Sequence, residues 1–335
     1  MSIMKLICFA FVNLAAPEMN NETFSSSEFV LHCLIEADQR RYIIAALAFI
    51  YLLSLFGNLL VIIVIILNDK LHAPMYIYIG TLAVIDLANS TILIPKMLAD
   101  LRVLHSPVPY GLCFFQMSII LNVEEMESLL LTLMAFDRYV AVVHPLRYNT
   151  IVTNKRVWIS VIMMNVFVFL FNSQYLFFAR ELIFCRTNIL PYCFCDYATM
   201  VQIACTNDPK YLLLLSVIVI ITGVIPMVFI LLSYSVITIA AIRISSAERK
   251  KKAFSTILTH LLVVFFFYVP LLTSYILPGA GVKLSEEAYN TMVIVGNVVP
   301  PMLNPIIYSF RNEEIRGGIY RLFTGTKTAP VVKSH

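Results

Sequence analysis

The sequence predicts an all-α membrane protein. We expect a seven-transmembrane helix bundle, N-terminus outside and C-terminus cytoplasmic, with a short amphipathic helix after the seventh span. Three observations carry this. The 335 residues are 60% hydrophobic and only 13% charged, against roughly 45–50% apolar and about 25% charged in an ordinary soluble domain. Seven apolar stretches can be marked, at about 42–67, 76–99, 114–142, 157–178, 211–242, 254–277 and 288–309, each sufficient for a hydrocarbon core of ~30 Å. With the N-terminus outside, 15 of the 24 Lys and Arg residues fall on the cytoplasmic side, including the cluster Arg249–Lys252, as the positive-inside bias requires. The chain then divides into an extracellular N-terminus (1–41), a membrane domain (42–309) and a cytoplasmic helix and tail (310–335). The net charge of +4 reflects this placement and does not call for nucleic acid.

Residues 1–18 pair Lys5 with an apolar run from Leu6 to Ala16 that is too short to span. They read either as a cleavable signal or as an extension upstream of Met19. Asn21-Glu22-Thr23 is a glycosylation sequon on the outer side. Helix one carries Gly57-Asn58, and a lone Asn in lipid bonds a neighbouring helix. Pro74 suits the first turn of helix two, which holds Asp86.

Helix three is the centre of the pattern. Cys113 to Arg138 is 25 residues, about 37 Å at 1.5 Å per residue, so one helix runs from an outer cysteine to an inner arginine. At 100° per residue Glu127 shares a face with Arg138, and Glu124 points inward one turn nearer the outside. Glu125 turns toward helix four or five. Asp86 and Glu127 should meet near mid-membrane, where two carboxyls share a proton, hold a cation, or sit as a neutral hydrogen-bonded pair.

Helix four says least; its Trp158 marks the cytoplasmic edge. The second outer loop, roughly 179–210, holds Cys185, Cys193, Cys195 and Cys205. Outer cysteines pair, but counting does not give the connectivity. Helix five has Pro226 in mid-span. The third inner loop, about Ile244 to Lys252, is too short for a folded insert. Helix six contains His260, expected to make a cytoplasmic-end hydrogen bond to helix seven or three rather than to shuttle protons, and Phe267-Tyr268-Val269-Pro270. Helix seven ends Pro300-Pro301-Met302-Leu303-Asn304-Pro305-Ile306-Ile307-Tyr308, and Glu313 to Phe323 reads as an amphipathic surface helix. The six His residues are scattered, and neither metal-ligand spacing nor a nucleophile motif occurs, so no enzyme is expected. Inverted repeats and broken half-helices of a transporter are not seen either.

Several segments together resemble odorant receptors, within the rhodopsin-like G-protein-coupled receptors. Met134-Ala135-Phe136-Asp137-Arg138-Tyr139 with Pro145-Leu146-Arg147-Tyr148 resembles the third-helix signature, departing at Phe136 and Val143. Leu71-His72-Ala73-Pro74-Met75-Tyr76, Pro95-Lys96-Met97-Leu98, Thr259-His260, Phe267-Tyr268-Val269-Pro270 and the helix-seven ending are similar to the family pattern. Met126-Glu127-Ser128 with Phe136 resembles the class I, fish-like subset. The likeness covers about residues 24–323.

The resemblance implies a receptor of the plasma membrane, in sensory cilia, that binds a small organic odorant and activates a stimulatory olfactory G protein to raise cyclic AMP. A non-olfactory rhodopsin-like receptor for an amine or other small molecule is the alternative. It implies disulfides Cys113–Cys195 and Cys185–Cys205, leaving Cys193 a free thiol or a competitor for Cys113, and Cys8 and Cys33 unassigned. It gives switch roles to Asp86, Glu127, Asp137, Arg138, Tyr234, Tyr268, Asn304 and Tyr308, with sodium at Asp86 and Glu127. A pocket is expected from Met117, Ile120, Leu121, Glu124, Ile218, Thr222, Leu271, Tyr275 and Asn297. Glu124 would take a cationic amine, or else be protonated or satisfied by Lys96 or a polar neighbour.

Overall fold

Each span begins where the sequence supplies a helix start. In the computed structural model, which describes residues 28–33, 37–102, 106–184, 187–190, 193–206, 208–243, 245–279 and 286–324, eight long helices follow in order. They are α1 (Ala37–Leu67), α2 (Pro74–Asp100), α3 (Tyr110–Val143), α4 (Asn154–Ala179), α5 (Pro209–Ile242), α6 (Ala247–Gly279), α7 (Glu286–Arg311) and α8 (Glu313–Thr324). Pro74 and Pro209 occupy first turns, where a missing N–H costs no bond. Thr153 caps α4 through the Arg156 N–H and Asp208 caps α5 through the Lys210 N–H. Asn312 Oδ1 accepts from the Glu314 and Ile315 N–H groups at 3.1 and 3.2 Å, starting α8. Residues 1–18, Cys8, Asn21 and Cys185 lie outside the described residues, as does the Tyr275 side chain.

Six of these helices are long and apolar enough to cross a membrane among the described residues. The seventh is α3, whose length is sufficient but whose middle carries Glu124, Glu125 and Glu127. It can hold them because it is the inner helix, packed against α2, α4, α5 and α6. The outer helices instead turn large apolar residues to lipid, such as Phe49, Leu52 and Phe56 on α1 and Met163, Phe169 and Leu170 on α4. On α4 the buried set Val157, Val161, Met164, Val168, Asn172 and Tyr175 is one stripe at three- and four-residue spacing. α6 starts at Ala247, so Lys250 and Lys251 lie on its first turns and not in a loop reaching to Lys252. The run Ala247-Glu248-Arg249-Lys250-Lys251-Lys252 consists of strong helix formers, which extends the helix into the cytoplasm.

Prolines shape the packing. Pro305 has no N–H for the Pro301 carbonyl four residues earlier, and Asn58 on α1 donates to that carbonyl at 2.8 Å. Pro301 likewise frees the Asn297 carbonyl, and Asn89 on α2 donates to it at 3.1 Å. Pro226 frees the Thr222 carbonyl of α5, beside a π-helical turn at Ile220–Val224, and Ser128 Oγ of α3 donates there. Asn58 therefore meets α7 directly, and Ser54 Oγ and Ser90 Oγ, 2.7 Å apart, complete its link to α2. The helices approach closely at these bends: a Cβ on Gly57 would stand 2.8 Å from Pro305 Cγ, and one on Gly296 would stand 2.9 Å from Pro270 Cβ.

Outside the bundle, β1 (Glu28–Leu31) pairs antiparallel with β2 (Ser106–Pro109) and parallel with β3 (Ile189–Leu190). A short helix, Tyr197–Ile203, follows in the second outer loop, capped by Asp196 through the Thr199 N–H. At the inner end, α8 lies against the end of α1, where Arg321 donates to Asn68 Oδ1 at 3.1 Å.

Candidate functional site: a pocket above a buried polar relay

The outer half of the bundle encloses a cavity of about 110 Å³ between α2, α3, α4, α5, α6, α7 and the second outer loop. Met117, Ile120, Leu121 and Glu124 of α3, Ile218 and Thr222 of α5, Leu271 of α6 and Asn297 of α7 all line it. These are eight of the nine positions expected from the sequence. Loop residues Phe194, Cys195, Asp196, Tyr197 and Thr199 and Tyr175 of α4 line it as well, and sequence reasoning missed them. The Cys195 motif was the available signal, because a residue tied to α3 must bring its neighbours over the pocket.

The charges around this cavity have one sign. Glu124, Glu125, Glu127 and Asp196 line it, and no Lys, Arg or His does among the described residues. Glu124 adjoins the Asn297 side chain of α7. Lys96 does not serve it: that ammonium pairs with Asp100, one turn along the same helix. Glu125 turns to α4, where the Asn172 amide, oriented to satisfy both groups, donates to its two oxygens at 2.9 and 3.2 Å.

Below the pocket lies a layer of polar contacts. Ser128 has one hydroxyl proton, which goes to the Thr222 carbonyl, so at 2.7 Å it accepts from the Tyr268 hydroxyl. That ties α3, α5 and α6 at one point. Asn304 of α7 donates to both Asp86 oxygens at 3.2 and 3.1 Å, and Glu127 adjoins the same amide. Glu127 Oε1 and Asn304 Oδ1 are buried without a hydrogen-bond partner. The orphaned Glu127 carboxyl oxygen and Asn304 amide oxygen, beside the Asp86 carboxyl, form an all-oxygen donor set that fits a small hard cation or a proton.

At the cytoplasmic end Arg138 folds onto its neighbour Asp137, with Nε 2.8 Å from Oδ2, and Tyr148 donates to Oδ1 at 2.8 Å. Burial first, and the charge of Asp137 second, push the Tyr148 phenol up, so it remains a donor. His260 differs from expectation. Its ring stacks on Tyr234 of α5 at 5.3 Å, and neither nitrogen has a partner, where a hydrogen bond to helix three or seven was expected. The hydroxyls of Tyr234 and Tyr308 are also unpartnered.

The disulfides correct one expectation. Cys113 pairs with Cys195 as expected, but Cys193 is neither free nor a competitor for Cys113, because it is bonded to Cys33. Cys205 is disulfide-bonded too.

Comparison with known proteins agrees with the geometry. The olfactory receptor family model matches residues 47–326. The chain is 33% identical to olfactory receptor 1E16 of Mus musculus over 308 residues, covering 92% of this chain and 97% of that one. It is 34% identical to olfactory receptor 1E2 of Gorilla gorilla gorilla over 308 residues, again 92% and 97% of the two chains. With olfactory receptor 1M1 of Homo sapiens the identity is 33% over 309 residues, 91% and 97% of the two. These relatives carry the family and not the class I subset. A bundle of seven spans with an acid-bearing central helix, matched over most of its length, belongs to the olfactory receptor family: multi-pass G-protein-coupled receptors of the plasma membrane and not enzymes.

Proposed function

We propose that this receptor senses a small cationic amine odorant held in the outer cavity by Glu124, and activates a stimulatory olfactory G protein that raises cyclic AMP. The observation that carries the ligand class is the cavity's charge: four acidic side chains and no basic one line it among the described residues. A carboxylate odorant would meet only like charge there, whereas an ammonium offsets the cost of a buried carboxylate. Apolar walls from Met117, Ile120, Leu121, Ile218 and Leu271 suit the rest of a small organic molecule.

Activation follows from the relay below. The ligand shifts a two-state equilibrium only by its differential affinity for the two states. Outward movement of α6 separates Tyr268 from Ser128 and opens the inner ends of α3, α5 and α6 to the G protein. Arg138, released from Asp137, then meets the G-protein tail, with Tyr234, Asn304 and Tyr308 relaying the change. Sodium at Asp86 and Glu127 would supply positive charge to the two carboxyls and favour the closed arrangement.

The test is cyclic AMP in cells co-expressing the receptor and a stimulatory olfactory G protein, challenged separately with amines, carboxylic acids and neutral odorants. A selective amine response lost in Glu124→Gln is expected. Unchanged amine potency in that variant, or a response confined to acids or neutral compounds, refutes the role of Glu124.

A further inference from the structure

Two cysteines two residues apart in the second outer loop are tied to different parts of the molecule. Cys195 is bonded to Cys113 at the start of α3, and Cys193 to Cys33, which lies 160 residues earlier and just past β1. Between them Phe194 is 3% exposed. It belongs to a buried cluster with Leu93, Ile94 and Met97 of α2, and it also lines the cavity. The loop is held on its other side as well: the Val30 and His32 N–H groups donate to Asn188 and Leu190 carbonyls at 2.9 and 2.8 Å. Gln116 of α3 accepts from the Cys195 N–H at 3.2 Å. A ring whose two chain neighbours are both cross-linked cannot rise unless a covalent bond breaks or the N-terminal strand moves with it.

We propose that the Cys33–Cys193 bond joins the N-terminal strand and the second outer loop into one fixed lid. Phe194, on the underside of that lid, sets the size limit of the ligand. The two bonds have separate tasks. Cys113–Cys195 attaches the loop to the bundle, and Cys33–Cys193 adds a second anchor that removes the loop's freedom to hinge about the first. β1, in register with both β2 and β3, spreads that restraint over the outer surface. The proposal rests on the cavity being the ligand site, but its test reads access alone. A receptor that failed to respond to amines would therefore leave it standing.

The experiment places a reporter thiol in the cavity by Leu121→Cys, in the full chain on intact cells with Cys8→Ser, and measures labelling rates per surface receptor. The probes are a small methanethiosulfonate ethylammonium and a bulky biotin-bearing methanethiosulfonate. With both bonds intact, the small reagent reacts and the bulky one is excluded. In the double variant Cys33→Ser, Cys193→Ser the bulky reagent is expected to gain about tenfold or more, equivalent to losing roughly 1.4 kcal/mol of closure. An unchanged bulky-reagent rate in a surface-expressed double variant overturns the lid. If that variant fails to reach the surface, Phe194→Ala decides, since it keeps both disulfides and removes only the ceiling. Faster bulky labelling supports the assignment, and an unchanged rate overturns it.

Discussion

The bond between Tyr268 and Ser128 offers the sharpest test of how this receptor is held closed. Ser128 donates to the Thr222 carbonyl that Pro226 leaves free, so its oxygen receives the Tyr268 hydroxyl at 2.7 Å. Tyr268→Phe removes that donor and keeps the ring. Hydrogen bonds between membrane helices are worth about 0.6 kcal/mol on average and roughly 1.7 at most, so basal activity should rise about threefold, with an upper limit of roughly eighteenfold. Ser128→Ala breaks the same bond and also strands the Thr222 carbonyl, which lowers thermal stability by about 1–3 kcal/mol where nothing replaces the donor. Basal cyclic AMP normalised to surface receptor reads the first effect, and thermal unfolding of the purified protein reads the second. The two variants share one bond, so combining them should add nothing to the basal signal of Ser128→Ala. A fully additive double variant, or a fall in basal signal for Tyr268→Phe, refutes the reasoning.

Other expectations follow from particular contacts. Asn58→Leu leaves the Pro301 carbonyl without its 2.8 Å donor and should destabilise the receptor by about 1–2 kcal/mol, read as a lower unfolding temperature. Gly57→Ala places a methyl 2.8 Å from Pro305, so α1 and α7 must part, and surface expression should drop; normal expression would show that the contact yields without cost. If sodium binds between Asp86 and Glu127, replacing it by a large organic cation lowers the thermal stability of wild type but not of Asp86→Asn. Equal sodium dependence in both would remove the site.

Much of this arrangement is legible in the chain because membrane helices obey strict local rules. A span needs an apolar length, and Pro74, Thr153, Asp208 and Asn312 mark helix starts with ordinary capping chemistry. The register of Glu124, Glu125 and Glu127 follows from helical periodicity alone, which is why Glu125 was expected to face helix four or five and does meet Asn172 of α4. The ceiling was not legible. Phe194, Asp196 and Tyr197 reach the cavity through a loop whose path depends on which cysteines pair, and spacing leaves that open. α4 hid its inward face for a different reason. Its apolar residues are spread round the helix and polar ones such as Asn165, Ser173 and Gln174 lie off the buried stripe, so Asn172 and Tyr175, the polar marks within it, did not stand out. His260 was misjudged because stacking on Tyr234 depends on how α5 and α6 pack, which neither helix encodes by itself.

Proline and its partner donors give the bundle a logic that links stability to switching. A proline removes one bond from its own helix, and the carbonyl it frees becomes an acceptor that a neighbouring helix must satisfy inside lipid. Asn58 meets Pro301 and Asn89 meets Asn297, and both bonds fasten α7 to the α1–α2 side. Ser128 meets Thr222 and fastens α5 to α3. α6 is tied to α3 at this level by the Tyr268 hydroxyl, a side chain that can let go by rotating. The helix expected to move is therefore tied to α3 by a bond between two side-chain hydroxyls, whereas the bonds at Pro301, Asn297 and Thr222 end on backbone carbonyls that cannot rotate away.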